Sequence, residues 1–382
     1  MWFSRTQLAW HVLHKEKVRL FVAVLGISFA NLLIFMQLGF CGALFYSCGT
    51  LYRSFYGDLC LVNPHYETLI QPLSFKRELM YRCQAYPEVA RVQGVNVGLT
   101  GWRNPETGKM RSIQVAGYDP GYPALRAVGS QGDSLKILGN VLFDRLGRPE
   151  FGPIEAMFAK GPVFTEVNRK RVQVSGLFSL GASFAADGCM VTSDETFRMI
   201  FTDSRRDEIE FGFLFLKPGS QPEEIQPKLQ AMIGTAARVL TRAQLEKLEE
   251  NYWASSTGIG FIFNMGAAMG FMVGVVIVYQ VLHSDIADHL PQYATLKAMG
   301  YSNGFLLLIL GQESLILALL GYGPGLAFSL FLYQQASAAT SLPIFMTADR
   351  AWGVLLGTIA MCLISAAIAA RKLVSADPAE IF

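Results

Sequence analysis

The chain has 382 residues, of which 52% are hydrophobic and only 16% are charged, and its formal net charge is +2. Soluble domains carry about 25% charged residues, so this chain is unusually poor in charge for that class. The small net charge, together with the lack of a basic patch interleaved with aromatic residues, gives no support for nucleic-acid binding.

The first segment, residues 1–19, mixes apolar side chains, including Trp2 and Trp10, with arginine, histidine and lysine. This mixture is typical of a helix that lies in the headgroup layer of a membrane. The alternative, a disordered tail, is less favoured because the apolar content is high. We therefore predict a cytoplasmic interfacial helix over 1–19.

Four apolar runs are long enough to cross a bilayer, which takes about 20 residues each. The predicted spans are 20–46, 258–283, 304–333 and 351–370. The first is longer than the apolar core of a signal peptide, so we interpret it as a retained anchor. Lysine and arginine flank the first and last spans, which places both termini, including the tail 371–382, in the cytoplasm. The block 47–257 and the loop 334–350 then lie outside.

The outer block is predicted to be an α+β domain of two lobes, with a stalk that leads to the spans. Its predicted strands are 89–97, 112–118, 171–178, 189–192, 208–216 and 238–240. Its predicted helices are 74–85, 193–201, 221–233 and 242–252. The turn-rich segment 139–153 is predicted to link the two lobes.

Catalytic chemistry is not indicated in the outer block. His65 is its only histidine, and no serine, histidine and aspartate group together. The sequence also lacks a G-x-x-x-x-G-K-[ST] phosphate loop, so it does not hydrolyse nucleotide by that route. The six cysteines contain no C-x-x-C pair, which argues against a zinc site or a disulfide framework. We expect no metal, no cofactor and no enzymatic activity on this chain.

Small and polar residues mark the second and third spans. Gly266, Gly270 and Gly274 form a repeated G-x-x-x-G pattern, which brings helix backbones close together. This pattern fits a dimer interface and packing within one bundle equally well. Gln312 and Glu313 lie inside the third span. Glu313 is a candidate proton or substrate site, but a structural role is favoured because the other spans show no ionisable partner.

Three glycines and a proline also lie close together in the third span. Gly321, Gly323 and Gly325 surround Pro324, and together they are expected to weaken or bend the helix.

The polar segment 284–303 lies between the second and third spans. Its apolar side chains recur at helical spacing, and Gly300 follows them as a left-handed cap. An amphipathic helix held between two spans can press on something outside the bilayer, whereas the alternative is a simple connector. The candidate contact residues are Asp285, Asp288, Gln292, Tyr293, Leu296, Lys297, Met299 and Gly300.

A metal site in this segment is a weaker hypothesis. His283, Asp285, Asp288 and His289 have ligand-type side chains at close spacing. On one helix, however, His283 and His289 face different sides, because each residue turns the helix by about 100°.

The layout of one span, a large outer block and three more spans resembles the MacB/FtsX-like superfamily of ABC transporter permeases, also called type VII. The sequence LKAMG at 296–300 matches the end of that family's R-E-I-G-x-L-K-A-L-G motif, while 291–294 depart from its start. The segment 311–321 looks like the family's Q-x-x-x-E-type helix with following glycines. The sequence DPAE at 377–380 looks like the family's tail.

The amino-acid sequence of the membrane part is similar to that of one branch of the superfamily, the DevC-type permeases. The similarity is carried by 10–29, with its KEKVRL and VLGI sequences, and by 285–301, DIADHLPQYATLKAMGY. The departures at 291–294 are typical of this branch. The outer block resembles the branch only in size and lobed organisation.

The resemblance implies a homodimeric inner-membrane permease that works with a separate ATPase, which carries ATP and Mg²⁺. The helix 285–300 would dock on that ATPase, with Tyr293, Leu296 and Met299 as its contact face and Asp285, Asp288 and Lys297 as its polar rim. It also implies a periplasmic adaptor of the membrane-fusion type, a TolC-like outer-membrane channel and glycolipid export in a cyanobacterial cell.

Two other functions remain open at this point. One is an FtsX-like signalling or scaffold protein, in which the same motion activates a periplasmic hydrolase. The other is an ion-driven secondary transporter that uses Glu313 and needs no ATPase.

Overall fold

The computed structural model describes residues 17–122 and 124–375. Most of the interfacial helix predicted over 1–19 and most of the tail predicted over 371–382 lie outside these ranges. The described chain divides into two units. The helical unit comprises 17–42, 260–336 and 344–375, and the α/β unit comprises 43–259 and 337–343.

The chain begins with helix α1 (Lys17–Cys48) and enters the α/β unit. The helices of this unit are α2 (Thr50–Ser54), α3 (Arg77–Gln84), α4 (Ile154–Phe158), α5 (Asp194–Ile200), α6 (Pro222–Ile233) and α7 (Arg242–Asn251). Its strands are β1 (Leu59–Val62), β2 (Phe75–Lys76), β3 (Val89–Arg103), β4 (Met110–Tyr118), β5 (Asn140–Asp144), β6 (Val163–Val167), β7 (Lys170–Phe178), β8 (Cys189–Ser193), β9 (Glu208–Ile209), β10 (Phe211–Leu216) and β11 (Arg238–Thr241).

Nine of these strands form one sheet in the order β11-β1-β10-β3-β4-β8-β5-β7-β6, while β2 and β9 pair separately. The long strand β3 pairs with β10 through its first half and with β4 through its second half. Near the end of β3, Trp102 lies opposite Val167 of β6. The six strands β3-β4-β8-β5-β7-β6 therefore form a closed ring, because the last of them pairs again with the first. Trp102 is fully buried there and packs against Phe143 and Phe151.

The predicted link at 139–153 is wrong, because strand β5 lies in that segment and pairs with both β7 and β8. All five residues of β5 are buried. A strand buried on both faces lacks the alternation of apolar and polar residues that marks a half-buried strand. The turn residues around β5 therefore determined the prediction for this segment. The predicted helix over 193–201 is confirmed as α5, and Ser193 caps it by accepting a hydrogen bond from the backbone N–H of Thr196 at 3.3 Å.

The chain then enters α8 (Ile259–Asp288), α9 (Leu290–Ala298), α10 (Asn303–Thr340) and α11 (Ala348–Ser375). Within the described residues, α1, α8, α10 and α11 are the four helices long and apolar enough to cross a membrane. The prediction of four spans with a large insertion of mixed helices and strands (predicted as α+β) after the first is therefore confirmed. The helix α10 continues through Pro324, so the glycines around it do not interrupt the helix.

Glycines bring the helices of this unit close to α1. A Cβ atom at Gly270 would lie 3.0 Å from Ile34 Cγ1, and one at Gly274 would lie 3.0 Å from the Cβ of Ala30. On α10, a Cβ atom at Gly325 would lie 3.0 Å from the carbonyl oxygen of Ser28. Gly266, the first glycine of the G-x-x-x-G pattern, lies against the Gln37 side chain of α1. The whole pattern thus packs within one chain.

Candidate functional site

The segment between the second and third spans forms two helical pieces, where one helix was predicted. The helix α8 continues to Asp288, and α9 begins again at Leu290 because Pro291 occupies its first turn. Proline lacks the N–H needed to continue a helix, and it restricts the residue before it. The cap predicted at Gly300 is confirmed by its positive φ of 92°.

One side of α9 packs on the helical unit. Tyr293 is only 7% exposed and Ala294 is buried. Tyr293 belongs to the same hydrophobic cluster as Ile286 of α8 and Leu306 of α10, with Leu296 packed at its edge. Apolar residues at helical spacing therefore hold α9 against its own chain.

The opposite side of α9 is exposed. It presents Pro291, Gln292, Thr295 and Met299, and the last is 63% exposed. The predicted contact face of Tyr293, Leu296 and Met299 is therefore wrong for Tyr293, because the bundle has already covered that side chain. Lys297 is half-buried between the two sides.

Arg19 of α1 contacts the end of α8. Its Nη1 donates to Oδ1 of Asp285 at 3.4 Å, and its Nη2 donates to Oγ of Ser284 at 3.3 Å and to Oδ2 of Asp288. The arginine fork thus spans the last turn of α8 before α9 begins. Asp285 was predicted to belong to an exposed polar rim, but it is 5% exposed and lies inside the bundle.

Glu313 of α10 completes this cluster. It is 2% exposed, and it interacts electrostatically with Asp285 and Arg19. The expectation that Glu313 has no ionisable partner in the membrane part is therefore wrong. Sequence reasoning placed Asp285 in a loop outside the bundle and so missed the pairing. Gln312, beside it, is half-buried.

The His289 side chain contacts Asp285, one helical turn before it in the chain. Its Nδ1 lies 3.0 Å from the carbonyl oxygen of Asp285 and 3.4 Å from Oδ1 of the same residue. Within 17–122 and 124–375, no three histidine, cysteine, aspartate or glutamate side chains converge as a metal site would need.

A second buried polar cluster lies in the α/β unit, around Glu249 of α7. Glu249 is 1% exposed and accepts hydrogen bonds from the Tyr52 hydroxyl at 2.8 Å and from Nε1 of Trp253 at 2.9 Å. It also accepts from the hydroxyl of Thr68 and the backbone N–H of Leu69. Burial raises the pKa of Glu249 above its usual value, against the lowering effect of these hydrogen bonds. Sequence reasoning did not find this cluster, because its members are far apart in the chain.

Residues 264–378 match the family described as FtsX-like permease C-terminal. The search of curated proteins gave no match. Among solved structures, the periplasmic region of MacB from Actinobacillus actinomycetemcomitans is 11% identical, covers 52% of this chain and 94% of its own, and has a TM-score of 0.35. The extracellular domain of the noncanonical ABC-type transporter YknZ from Gram-positive bacteria is 16% identical, covers 48% and 99%, and has a TM-score of 0.33. A domain of a putative permease protein from Porphyromonas gingivalis is 13% identical, covers 49% and 91%, and has a TM-score of 0.30.

Proposed function

We infer the function of this chain from its family: it is an ABC-type permease of the MacB/FtsX-like kind, with the FtsX-like match at 264–378. A permease of this kind works with an ABC ATPase on a separate subunit. We propose that α9 and the spans transmit the conformational change of the ATPase to the α/β unit on the far side of the membrane. The chain would carry no nucleotide itself, and ATP and Mg²⁺ would bind to the partner.

The observation that carries this proposal is the two-sided character of α9. One side is packed into the helical unit through Tyr293, and the other side is exposed through Gln292, Thr295 and Met299. A rigidly seated helix with a free outer side can transmit a push from a partner, because the load passes into the bundle instead of being absorbed by a flexible loop. We assign the ATPase contact to this exposed side.

The remaining parts of the assembly are proposals that follow from the resemblance to DevC-type permeases. The permease would be a homodimer in an inner membrane of cyanobacterial type, with both termini and α9 in the cytoplasm. The α/β units would engage a periplasmic adaptor and, through it, a TolC-like channel. A glycolipid or another amphiphile would be the cargo, and it would be expelled by movement of the α/β units.

The test is reconstitution of the full chain with its ATPase in lipid nanodiscs. Met299→Glu places a charge on the exposed side of α9 and should abolish stimulation of ATP hydrolysis by the permease. Lys17→Glu, at an exposed position of α1, is the matched control and should retain it. Unchanged binding and stimulation with Met299→Glu would show that the ATPase docks elsewhere.

The same preparation separates an exporter from a signalling protein. Copurification of an adaptor and an outer-membrane channel, with cargo-stimulated ATP hydrolysis, supports export. A periplasmic hydrolase that is activated without cargo movement would instead support the signalling function.

A further inference from the structure

The ion pairs of Arg19 connect two parts of the chain that are distant in sequence. Arg19 lies 265 to 269 positions before its acceptors Ser284, Asp285 and Asp288. The acceptors occupy one turn of α8, at i, i+1 and i+4, so one guanidinium reaches all three. This turn is the last one before Pro291 separates α8 from α9.

The charges of the cluster are balanced unevenly. The Arg19 guanidinium forms ion pairs with Asp285 and Asp288, and His289 lies beside Asp285. Glu313 adds a third carboxyl group from α10. Without Arg19, these acidic groups would repel one another, and most strongly at Asp285 and Glu313, which are buried where water screens charges only weakly. The ion pairs of Arg19 therefore help to hold the end of α8 against α1.

The other contacts of α1 with α8 are mostly apolar contacts at glycines, whereas α10 is also joined to α1 by hydrogen bonds from the Ser28 hydroxyl to the carbonyl oxygen of Gly321 at 2.9 Å and from the Tyr333 hydroxyl to the carbonyl oxygen of Phe35. A Cβ atom at Gly321 of α10 would lie 2.6 Å from the Cβ of Ile27, and one at Gly26 of α1 would meet the side chain of Ile277. Glycines at these positions let the helix backbones approach closely. The ion pairs of Arg19 add directional contacts between the start of α1 and the last turn of α8.

We propose that Arg19 is the positioning residue that couples the α9 segment to the first membrane helix, so that a push on α9 moves α1 directly. This inference rests on the proposed function, because it needs an ATPase that pushes on α9. The helix α1 runs without a break from Lys17 to Cys48, so a displacement at Arg19 reaches its other end.

The experiment uses the full chain with its ATPase in nanodiscs and measures two quantities. The first is ATP hydrolysis stimulated by the permease. The second is the nucleotide-dependent change in hydrogen exchange of peptides from the α/β unit. We expect Arg19→Gln to keep ATPase binding but to reduce the nucleotide-dependent exchange change at least tenfold. Arg371→Gln, an exposed arginine at the end of α11, is the matched control and should behave as the unaltered chain.

Two further variants guard against a mere loss of folding. Asp288→Asn removes one ion pair at a side chain that is 53% exposed, and it should weaken the exchange change several-fold without unfolding the protein. The swap of Arg19→Asp with Asp288→Arg should recover at least half of the change that Arg19→Asp loses, because it restores the pairing of opposite charges between α1 and α8.

The outcomes separate the two levels of the argument. An unaltered chain with no nucleotide-dependent change in the α/β unit would overturn the proposed function itself. A normal change in both Arg19→Gln and Asp288→Asn would overturn only the role of Arg19. Loss of ATPase binding in the folded Asp288→Asn variant would also overturn it, because Arg19 would then serve docking and not transmission.

Discussion

The hydroxyl group of Tyr52 donates a hydrogen bond of 2.8 Å to Oε2 of Glu249, although 197 residues separate them. Tyr52 lies in α2, which follows the first span in the chain, and Glu249 lies in α7, which precedes the second. The Glu249 carboxylate also accepts hydrogen bonds from the Thr68 hydroxyl, the Leu69 backbone N–H and Nε1 of Trp253. One buried carboxylate thus joins the segment that follows the first span to the segment that precedes the second.

Glu249→Gln should destabilise the α/β unit by about 2–4 kcal/mol, because the amide keeps one acceptor oxygen and turns an N–H₂ group toward buried donors. The measurement is urea unfolding of the full chain, with hydrogen exchange at the Leu69 amide as the local readout. Glu250→Gln, at the next and exposed position, is the control and should change stability by less than about 0.5 kcal/mol. Equal effects of the two variants would contradict the assigned network.

Glu210 should make the stability of the α/β unit depend on pH. Burial, reinforced by Asp194 and Glu208, raises the pKa of Glu210 from 4.5 to about 7, although its Oε2 accepts the backbone N–H of Val97. A raised carboxyl pKa means that the folded state binds the proton more tightly. Stability should therefore fall as the pH rises from about 4.5 to 7 and stay lower above that range.

Glu210→Gln should remove this fall and should stabilise the α/β unit at pH 8 by on the order of 2–3 kcal/mol, since the amide needs no charge inside the protein. The measurement is denaturant unfolding of the full chain between pH 4.5 and 8. Glu106→Gln, at an exposed position, should leave the pH profile as it is. A profile that Glu210→Gln does not change would assign the titration to another group.

Long-range pairing separates what the sequence could predict from what it could not. The four spans are visible because each is a continuous apolar run, and Gly300 is visible because a helix end needs a positive φ. The sequence could not show that Arg19 meets Asp285, because their contact depends on how separate helices assemble. The buried side of α9 was misjudged for the same reason: periodicity shows that Tyr293 lies on an apolar face, but not what covers that face.

Gly325 should not tolerate a methyl group. Its Cβ atom would lie 3.0 Å from the carbonyl oxygen of Ser28 on α1, and backbone cannot move aside as a flexible side chain can. Gly325→Ala should therefore destabilise the helical unit by about 1–3 kcal/mol. Gly323→Ala is the matched control in the same helix, because nothing lies within 4 Å of a Cβ atom there. Thermal unfolding in detergent should show no loss for Gly323→Ala, and a loss equal to that of Gly325→Ala would contradict the packing of α10 on α1.

Glu313 distinguishes ATP-driven transport from transport driven by an ion gradient. A glutamine at 313 keeps the length and polarity of the side chain and can donate an N–H to the neighbouring Asp285 carboxylate. We expect Glu313→Gln to retain full ATP-driven export in proteoliposomes, with or without an ionophore that collapses the proton gradient. Glu313→Leu should destabilise the helical unit by about 1–3 kcal/mol, because it leaves Asp285 without this partner. Loss of export in the folded Glu313→Gln protein would contradict the structural role and would favour a proton-carrying glutamate, since only the titratable group has been removed.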